Sequence, residues 1–193
     1  MSDEFPDAAG NDLKAEVMRL RRELVRAEER IAELEARADV DPLLDVLNRR
    51  GFERELTRSL AYLKRYGTAA GLIFIDLDGF KPINDIYGHT AGDALLKGIA
   101  ATLVSRVRAS DVVARLGGDE FCVLMWNADE ALIAAKATEL ETIIAQARVE
   151  LNGFHLSVGA SAGGVALRAD RAAADLIAEA DRAMYARKKA KRA

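Results

Sequence analysis

One cysteine, three prolines and one tryptophan are all that the 193 residues hold of those types. A lone Cys122 excludes an internal disulfide and a thiolate metal cluster, and it fits a reducing compartment. Aromatic residues make up only 6% of the chain, so the hydrophobic half of the sequence must build its core mostly from Ala, Leu, Ile and Val. No apolar run approaches the roughly 20 residues that span a bilayer. The opening stretch MSDEFPDAAGNDL is acidic and lacks an apolar centre, so it does not read as a secretory signal. A cytoplasmic location without a membrane partner is expected. Charge of one sign is not concentrated either: the formal net charge is −3, with no large basic half. That argues against a nucleic-acid polymer as partner, although a small anionic ligand needs only a local basic patch.

Residues 1–11 are polar, with Pro and Gly, and read as a disordered tail. Residues 12–38 then carry a heptad seam, with Val17, Leu24, Ile31 and Ala38 at a and Leu13, Leu20, Ala27 and Leu34 at d. A parallel dimer would face Glu16 with Arg21, Glu23 with Glu28 and Arg30 with Glu35, two attractive pairs and one repulsive. The narrow seam favours a dimerising coiled coil over a lone amphipathic helix. Asp41-Pro42 ends that helix, and a globular domain is expected over residues 39–193.

Within the domain, helices are expected over residues 48–66, 91–107, 131–148 and 172–189, the first two with an apolar stripe. Strands are expected over 70–76, 112–116 and 121–126, with a Gly-interrupted strand region over 154–166. The resulting fold class is α/β, an α+β sandwich with helices packed on a sheet.

The candidate chemistry lies where carboxylates end apolar strands. Asp76 closes one strand and Asp78 follows; Asp119 and Glu120 sit at a hairpin tip. Carboxylates converging from two strand ends would suit a hard cation such as Mg²⁺, which takes one or two of them with waters and phosphates. Separately solvated loop acids are the alternative. Gly117-Gly118 permits positive φ and close approach of a phosphate. In the stretch NDIYGHTAGD, Asn84 and Asp93 carry the donors and acceptors that fit a guanine edge, with His89 between them. The same stretch also reads as a helix cap, with Thr90 capping and Asp93 three residues into the helix. Lys188, Lys189, Lys191 and Arg192 either complement a helix C-terminus or meet phosphate.

These residues together spell a family signature. Arg115-Leu116-Gly117-Gly118-Asp119-Glu120-Phe121 resembles the motif that names the GGDEF diguanylate cyclase family. Asp76-Leu77-Asp78-Gly79-Phe80-Lys81-Pro82-Ile83-Asn84-Asp85, with Tyr87-Gly88-His89 and Gly92-Asp93, resembles that family's D-x-D-x-F-K-x-I-N-D-x-Y-G-H-x-x-G-D segment. Leu43 with Asn48-Arg49-Arg50 and Phe52 resembles its opening motif, and Ala180-Asp181 with Ala183-Met184-Tyr185 and Lys188 its closing one. The match covers residues 39–192. It implies a central, mostly antiparallel sheet flanked by helices, similar to nucleotidyl cyclases and polymerase palms. It further implies condensation of two GTP into cyclic di-GMP by a homodimer.

The resemblance also implies roles. Asp76, the Leu77 carbonyl and Asp119 would hold Mg²⁺ or Mn²⁺. Asp119, Glu120 and Lys81 would carry the chemistry. Asn84, His89, Asp93, Gly117, Gly118, Phe80, Lys188 and Arg192 would form the GTP site. Arg108-Ala109-Ser110-Asp111 resembles the family's R-x-x-D product-inhibition site, and Arg65 aligns loosely with a secondary product contact. Three departures stand out. Leu43-Leu44-Asp45-Val46 replaces the usual L-T-G-L, Lys191 replaces a Gly, and Gly79 replaces a larger residue. A catalytically silent cyclic di-GMP receptor is the main rival reading; a cyclase for another nucleotide and a purely structural dimerisation module are the others.

Overall fold

The computed structural model describes Lys14, residues 16–26, Arg30, residues 38–151 and residues 153–192. The chain divides into two compact units, residues 1–38 and residues 39–193.

In the first unit the described residues before Ala38 are helical. Arg19 ties successive turns together, pairing with Glu16 at 2.7 Å and Glu23 at 2.6 Å. Of the seam residues, Val17, Leu20 and Leu24 are exposed by 39%, 50% and 59%, so this apolar stripe is uncovered in the single chain. Leu13, Ala27, Ile31 and Leu34, and the tail expected over residues 1–11, lie outside the described residues.

The second unit runs α1 (Arg49–Tyr66), β1 (Ala70–Asp78), α2 (Phe80–Tyr87), α3 (His89–Ser105), β2 (Val112–Gly117), β3 (Glu120–Trp126), α4 (Glu130–Gln146), β4 (Val149–Leu151), β5 (Phe154–Leu156), β6 (Gly159–Ala166) and α5 (Ala173–Arg192). Four strands form one sheet in the order β2-β3-β1-β6, and its three strand pairs are all antiparallel. β4 and β5 form a separate hairpin. This is the mixed α/β fold with a helix-flanked antiparallel sheet that the family resemblance implies.

Alternation along β1 divides the core in two. Ile73, Ile75 and Leu77 face a cluster with Leu95, Leu96, Ile99 and Leu103 of α3 and Ile133 and Leu140 of α4. Ala70, Leu72 and Phe74 face a second cluster with Phe52, Leu56 and Leu60 of α1 and Leu176, Ala180 and Met184 of α5. Burying one such large side chain contributes about 1.5–3 kcal/mol, so the α1 stripe outweighs that helix's otherwise polar composition. By the same two-residue period, Asp76 and Asp78 lie on the α1/α5 face.

α1 begins at Asn48, whose side chain accepts from the Gly51 N–H at 3.0 Å. It ends at Gly67 in the left-handed region, with φ 66°. α5 crosses β6 at Gly163, where an added Cβ would collide with the Met184 backbone. This close approach fixes how far along β6 the end of α5 reaches.

The structure corrects several expectations. A helix, α2, occupies Phe80–Tyr87, where the sequence predicts none. Pro82 and the flanking Gly79 and Gly88 disguise it, yet Pro82 falls in the first turn, where a missing N–H costs nothing. Consequently α3 starts at His89, with Gly88 at the cap and no side-chain cap bond, so Thr90 does not cap it. The strand region expected over 154–166 is split between β5 and β6. In the Gly-Gly pair only Gly118 has positive φ, at 41°, while Gly117 is the last residue of β2.

Candidate active site

The two acidic stretches meet through strand pairing. Asp76 stands directly opposite Glu120 in the β1–β3 register. At the turn, the Leu77 N–H donates to the Asp119 carbonyl at 3.1 Å. Asp76, Leu77, Asp119 and Glu120 therefore belong to one sheet end. Lys188, from the far part of α5, places its Nζ against Asp76 Oδ1 and 3.5 Å from Asp78 Oδ1. Ser161, fully buried on β6, donates its hydroxyl to Asp78 Oδ2 at 2.8 Å.

Electrostatics at this end follow from partial burial among like charges. Burial raises the Asp119 carboxyl above its ordinary value, and the neighbouring Asp76 charge adds to the shift, against lowering by its own backbone N–H, Lys188 and Arg115. Glu120 is raised mainly by burial, opposed by Arg49 and reinforced by Asp181, Asp119 and Asp76. Burial works against the Lys188 charge, but the hydrogen bond and charge of Asp76, with Asp78, raise it on balance. Carboxylates that disfavour each other's ionisation, with an ammonium already drawn to one of them, form a donor set that fits a hard cation. Among the described residues no three His, Cys, Asp or Glu side chains gather as a metal cluster. Two carboxylates completed by water and phosphate are the usual Mg²⁺ arrangement.

Two arginines brace the hairpin, and neither was singled out for a role from the sequence. Arg115 donates from Nε and Nη2 to the Gly118 carbonyl at 3.0 and 2.8 Å. Its third nitrogen, Nη1, pairs with Asp41 at 3.2 Å. Arg49 donates to the Leu116 carbonyl at 3.0 Å and lies 3.6 Å from Glu120 Oε2. A linear string of letters gives no hint of such bonds between distant segments; only the fold reveals them.

The remaining expected substrate residues lie on α2 and the start of α3. Gly79 alone separates β1 from α2, which puts Lys81 in the helix's first turn. Lys81 is exposed, and among the described residues it has no hydrogen bond or ion pair. Asn84 reaches across to α3, and its Oδ1 fills the place a Cβ at Gly92 would take. The adjacent Asp93 is exposed, as is His89 at the helix start. Phe80 is 8% exposed and packs within the core, its ring also reaching Gly92. Arg192 ends α5, but its side chain lies outside what is described.

The expected product residues lie at the opposite end of β2. The Arg108 N–H donates to Asp111 Oδ2 at 3.0 Å and the Asp111 N–H to the Arg108 carbonyl at 2.9 Å, closing a tight turn. Asp111 Oδ1 accepts from the Trp126 N–H at 3.1 Å. Both oxygens of Asp111 thus hold structure, while Arg108 is exposed. The turn borders an open groove of about 680 Å³, lined also by Leu47, Glu55, Val104 and Val107. Arg65, on the last turn of α1 with its guanidinium 5.3 Å over the Tyr66 ring, does not line that groove.

Among the described residues no helix is long and apolar enough to cross a membrane.

The family model described as diguanylate cyclase, GGDEF domain, matches residues 38–193. The chain is 39% identical over 160 residues to the probable diguanylate cyclase DgcE of Escherichia coli K12, covering 82% of this chain and 14% of that protein. It is 38% identical over 188 residues to the diguanylate cyclase TpbB of Pseudomonas aeruginosa, covering 93% of this chain and 42% of the relative. The crystal structure of the GGDEF domain of DgcB from Caulobacter crescentus in complex with c-di-GMP superposes with a TM-score of 0.74 at 26% identity, covering 79% of this chain and 91% of that one. The chain thus spans less than half the length of these two curated relatives, 14% and 42%.

Proposed function

The chain belongs to the GGDEF-domain diguanylate cyclase family, and on that footing we propose that it condenses two GTP into cyclic di-GMP and two pyrophosphates. The observation that carries the reading is the meeting of Asp76, Asp119 and Glu120 at one sheet end, opposed by Lys188. The activity of the named relatives supports it.

In this reading Asn84 donates from its amide to the guanine carbonyl, and Asp93 accepts from the ring N–H and exocyclic amine. His89 and Phe80 border the base. Gly117 and Gly118 leave room for the phosphates beside the turn. Lys81, Lys188 and Arg192 supply positive charge to the triphosphate. Asp76, the Leu77 carbonyl and Asp119 are the groups that would hold Mg²⁺ or Mn²⁺. A bound metal would supply charge neutralisation at the α-phosphate and a lower pKa for the attacking 3′-hydroxyl. Glu120, held by Arg49, is the carboxylate assigned to take that hydroxyl proton. The 3′-oxygen then bonds the α-phosphorus of the second GTP, and the bond to pyrophosphate breaks.

Closing the ring requires the same step twice, with two nucleotides facing each other across a two-fold axis. One domain holds one of them. The segment 12–38 is assigned as the dimerising coiled coil and 39–193 as the cyclase domain, with 1–11 as a tail. The uncovered Val17, Leu20 and Leu24 support this, since a coil that joins two copies raises the effective concentration of the second domain. Arg108 with Asp111, and more remotely Arg65, is assigned to product inhibition. The c-di-GMP complex of a related domain supports a site for product.

The test is Asp119→Asn, which keeps shape and removes a hard anionic donor. Turnover of GTP with Mg²⁺ is expected to fall to the level without protein while circular dichroism stays unchanged. Turnover at the parental rate would remove Asp119 from the site.

A further inference from the structure

Asp78, also at this sheet end, has no part in the metal set, the guanine site or the proton transfer assigned to Glu120. It is not a stray surface group. It lies two residues from Asp76 on the same face of β1, toward α5. Its Oδ2 is fixed by the hydroxyl of the fully buried Ser161, at 2.8 Å. Ser161 stands opposite Asp76 in the register, so this bond is diagonal. Gly159, directly opposite Asp78, leaves its side chain room, an added Cβ falling 3.4 Å from Asp78 Cβ. The other oxygen, Oδ1, is buried and has no hydrogen-bond partner. A buried acceptor left open costs free energy. Lys188 Nζ is 3.5 Å from it.

Lys188 thus has two carboxylates within reach, Asp76 in hydrogen-bond contact and Asp78 as an ion pair at 3.5 Å. Its ammonium and a divalent cation cannot both occupy Asp76, because like charges a few ångströms apart repel strongly in a partly buried site. Asp78 Oδ1 is the acceptor nearest to hand. Ser161 keeps the carboxylate from following the ammonium elsewhere. A lysine has three donors, so one spent on Asp78 leaves two for phosphate oxygens.

We propose that Asp78, held by Ser161, is a positioning residue that takes the Lys188 ammonium from Asp76 and holds it for the nucleotide's triphosphate. This rests on the cyclase reading of the site and adds a residue to it. It also makes Asp78 useful only through Lys188.

The experiment measures binding of 3′-deoxy-GTP, which carries the triphosphate but cannot attack, to the full chain with Mg²⁺ by calorimetry. Asp78→Asn is expected to weaken binding about tenfold, the lower range for a lost charge-assisted contact. Lys188→Met is expected to weaken it at least as much. Combining the two is expected to add nothing to Lys188→Met, the mark of two residues acting as one. Ser161→Ala, which keeps every charge, is expected to cause a smaller loss that vanishes in the Lys188→Met background; it carries the test if Asp78→Asn does not fold. Equal affinity of Asp78→Asn and parent overturns the proposal, and so do additive losses in the double variant. A parent that binds no 3′-deoxy-GTP overturns the nucleotide site itself, and the two failures are thereby distinct.

Discussion

Arg115 links Asp41 to Gly118: one nitrogen pairs with the Asp41 carboxylate at 3.2 Å while two others donate to the Gly118 carbonyl at 3.0 and 2.8 Å. Asp41 lies in the segment where the globular domain begins, and Gly118 is in the turn beside Asp119. The start of the domain and the tip of the site are therefore bridged by one guanidinium. Arg115→Lys would keep the charge and lose the fork. Turnover of GTP is expected to drop severalfold with secondary structure intact, read by steady-state kinetics beside circular dichroism. A parental rate would make the bridge a structural ornament of the turn.

Glu141 is expected to make stability depend on pH. It is 6% exposed on α4 and accepts from the Ala162 N–H at 2.9 Å. Lys191 and Arg187 pair with it at 2.9 and 3.2 Å. Burial alone would raise this carboxyl, but Lys191, the Ala162 N–H and Arg187 together lower it. A group with a depressed folded pKa stabilises fully above its unfolded value and stops doing so as pH falls through the folded one. Glu141→Gln is therefore expected to lose about 1–3 kcal/mol at neutral pH, by denaturant titration. The gap to the parent is expected to close below the ordinary carboxylate range. A gap that does not vary with pH would mean that the charge of Glu141 is irrelevant. Lys191, a departure from the resembled motif, thus gains a structural role: it and Arg187 hold the part of α5 that carries Lys188.

Arg108→Ala is expected to relieve product inhibition without lowering the initial rate. Arg108 lies beyond the start of β2, at the end opposite the turn of Gly118 and Asp119. Losing its charge-assisted contacts would weaken product binding roughly ten- to a hundredfold. Progress curves with added cyclic di-GMP read this directly. Parent and variant slowing at the same product concentration would leave Arg108 as a surface arginine.

Most of the fold was legible because apolar periodicity is a local signal. The stripes of α1 and α3 and the unbroken apolar run of β1 can be read without neighbours. α2 was not legible, since eight residues with a proline and flanking glycines carry too little period. Asp76, Asp119 and Glu120 were legible as candidates because acids ending apolar strands need a reason. Their supports were not: Arg49, Arg115, Ser161 and Glu141 act across distant segments, and a linear pattern cannot pair them. The replacement of L-T-G-L by Leu43-Leu44-Asp45-Val46 shows the reverse. Asp45 adopts φ 56° where the motif has Gly, a conformation that aspartate tolerates better than most residues. The Asp41 side chain accepts from the N–H groups of Leu43 and Leu44 at 2.9 and 3.0 Å. These two bonds hold the turn that carries Asp45 at positive φ.

The most direct measurement is the mass of what the purified full chain makes from GTP and Mg²⁺. Cyclic di-GMP with two pyrophosphates per molecule is expected, and none when the metal is chelated. GTP left unchanged by a folded protein that still binds cyclic di-GMP would contradict the enzyme and leave a receptor in its place.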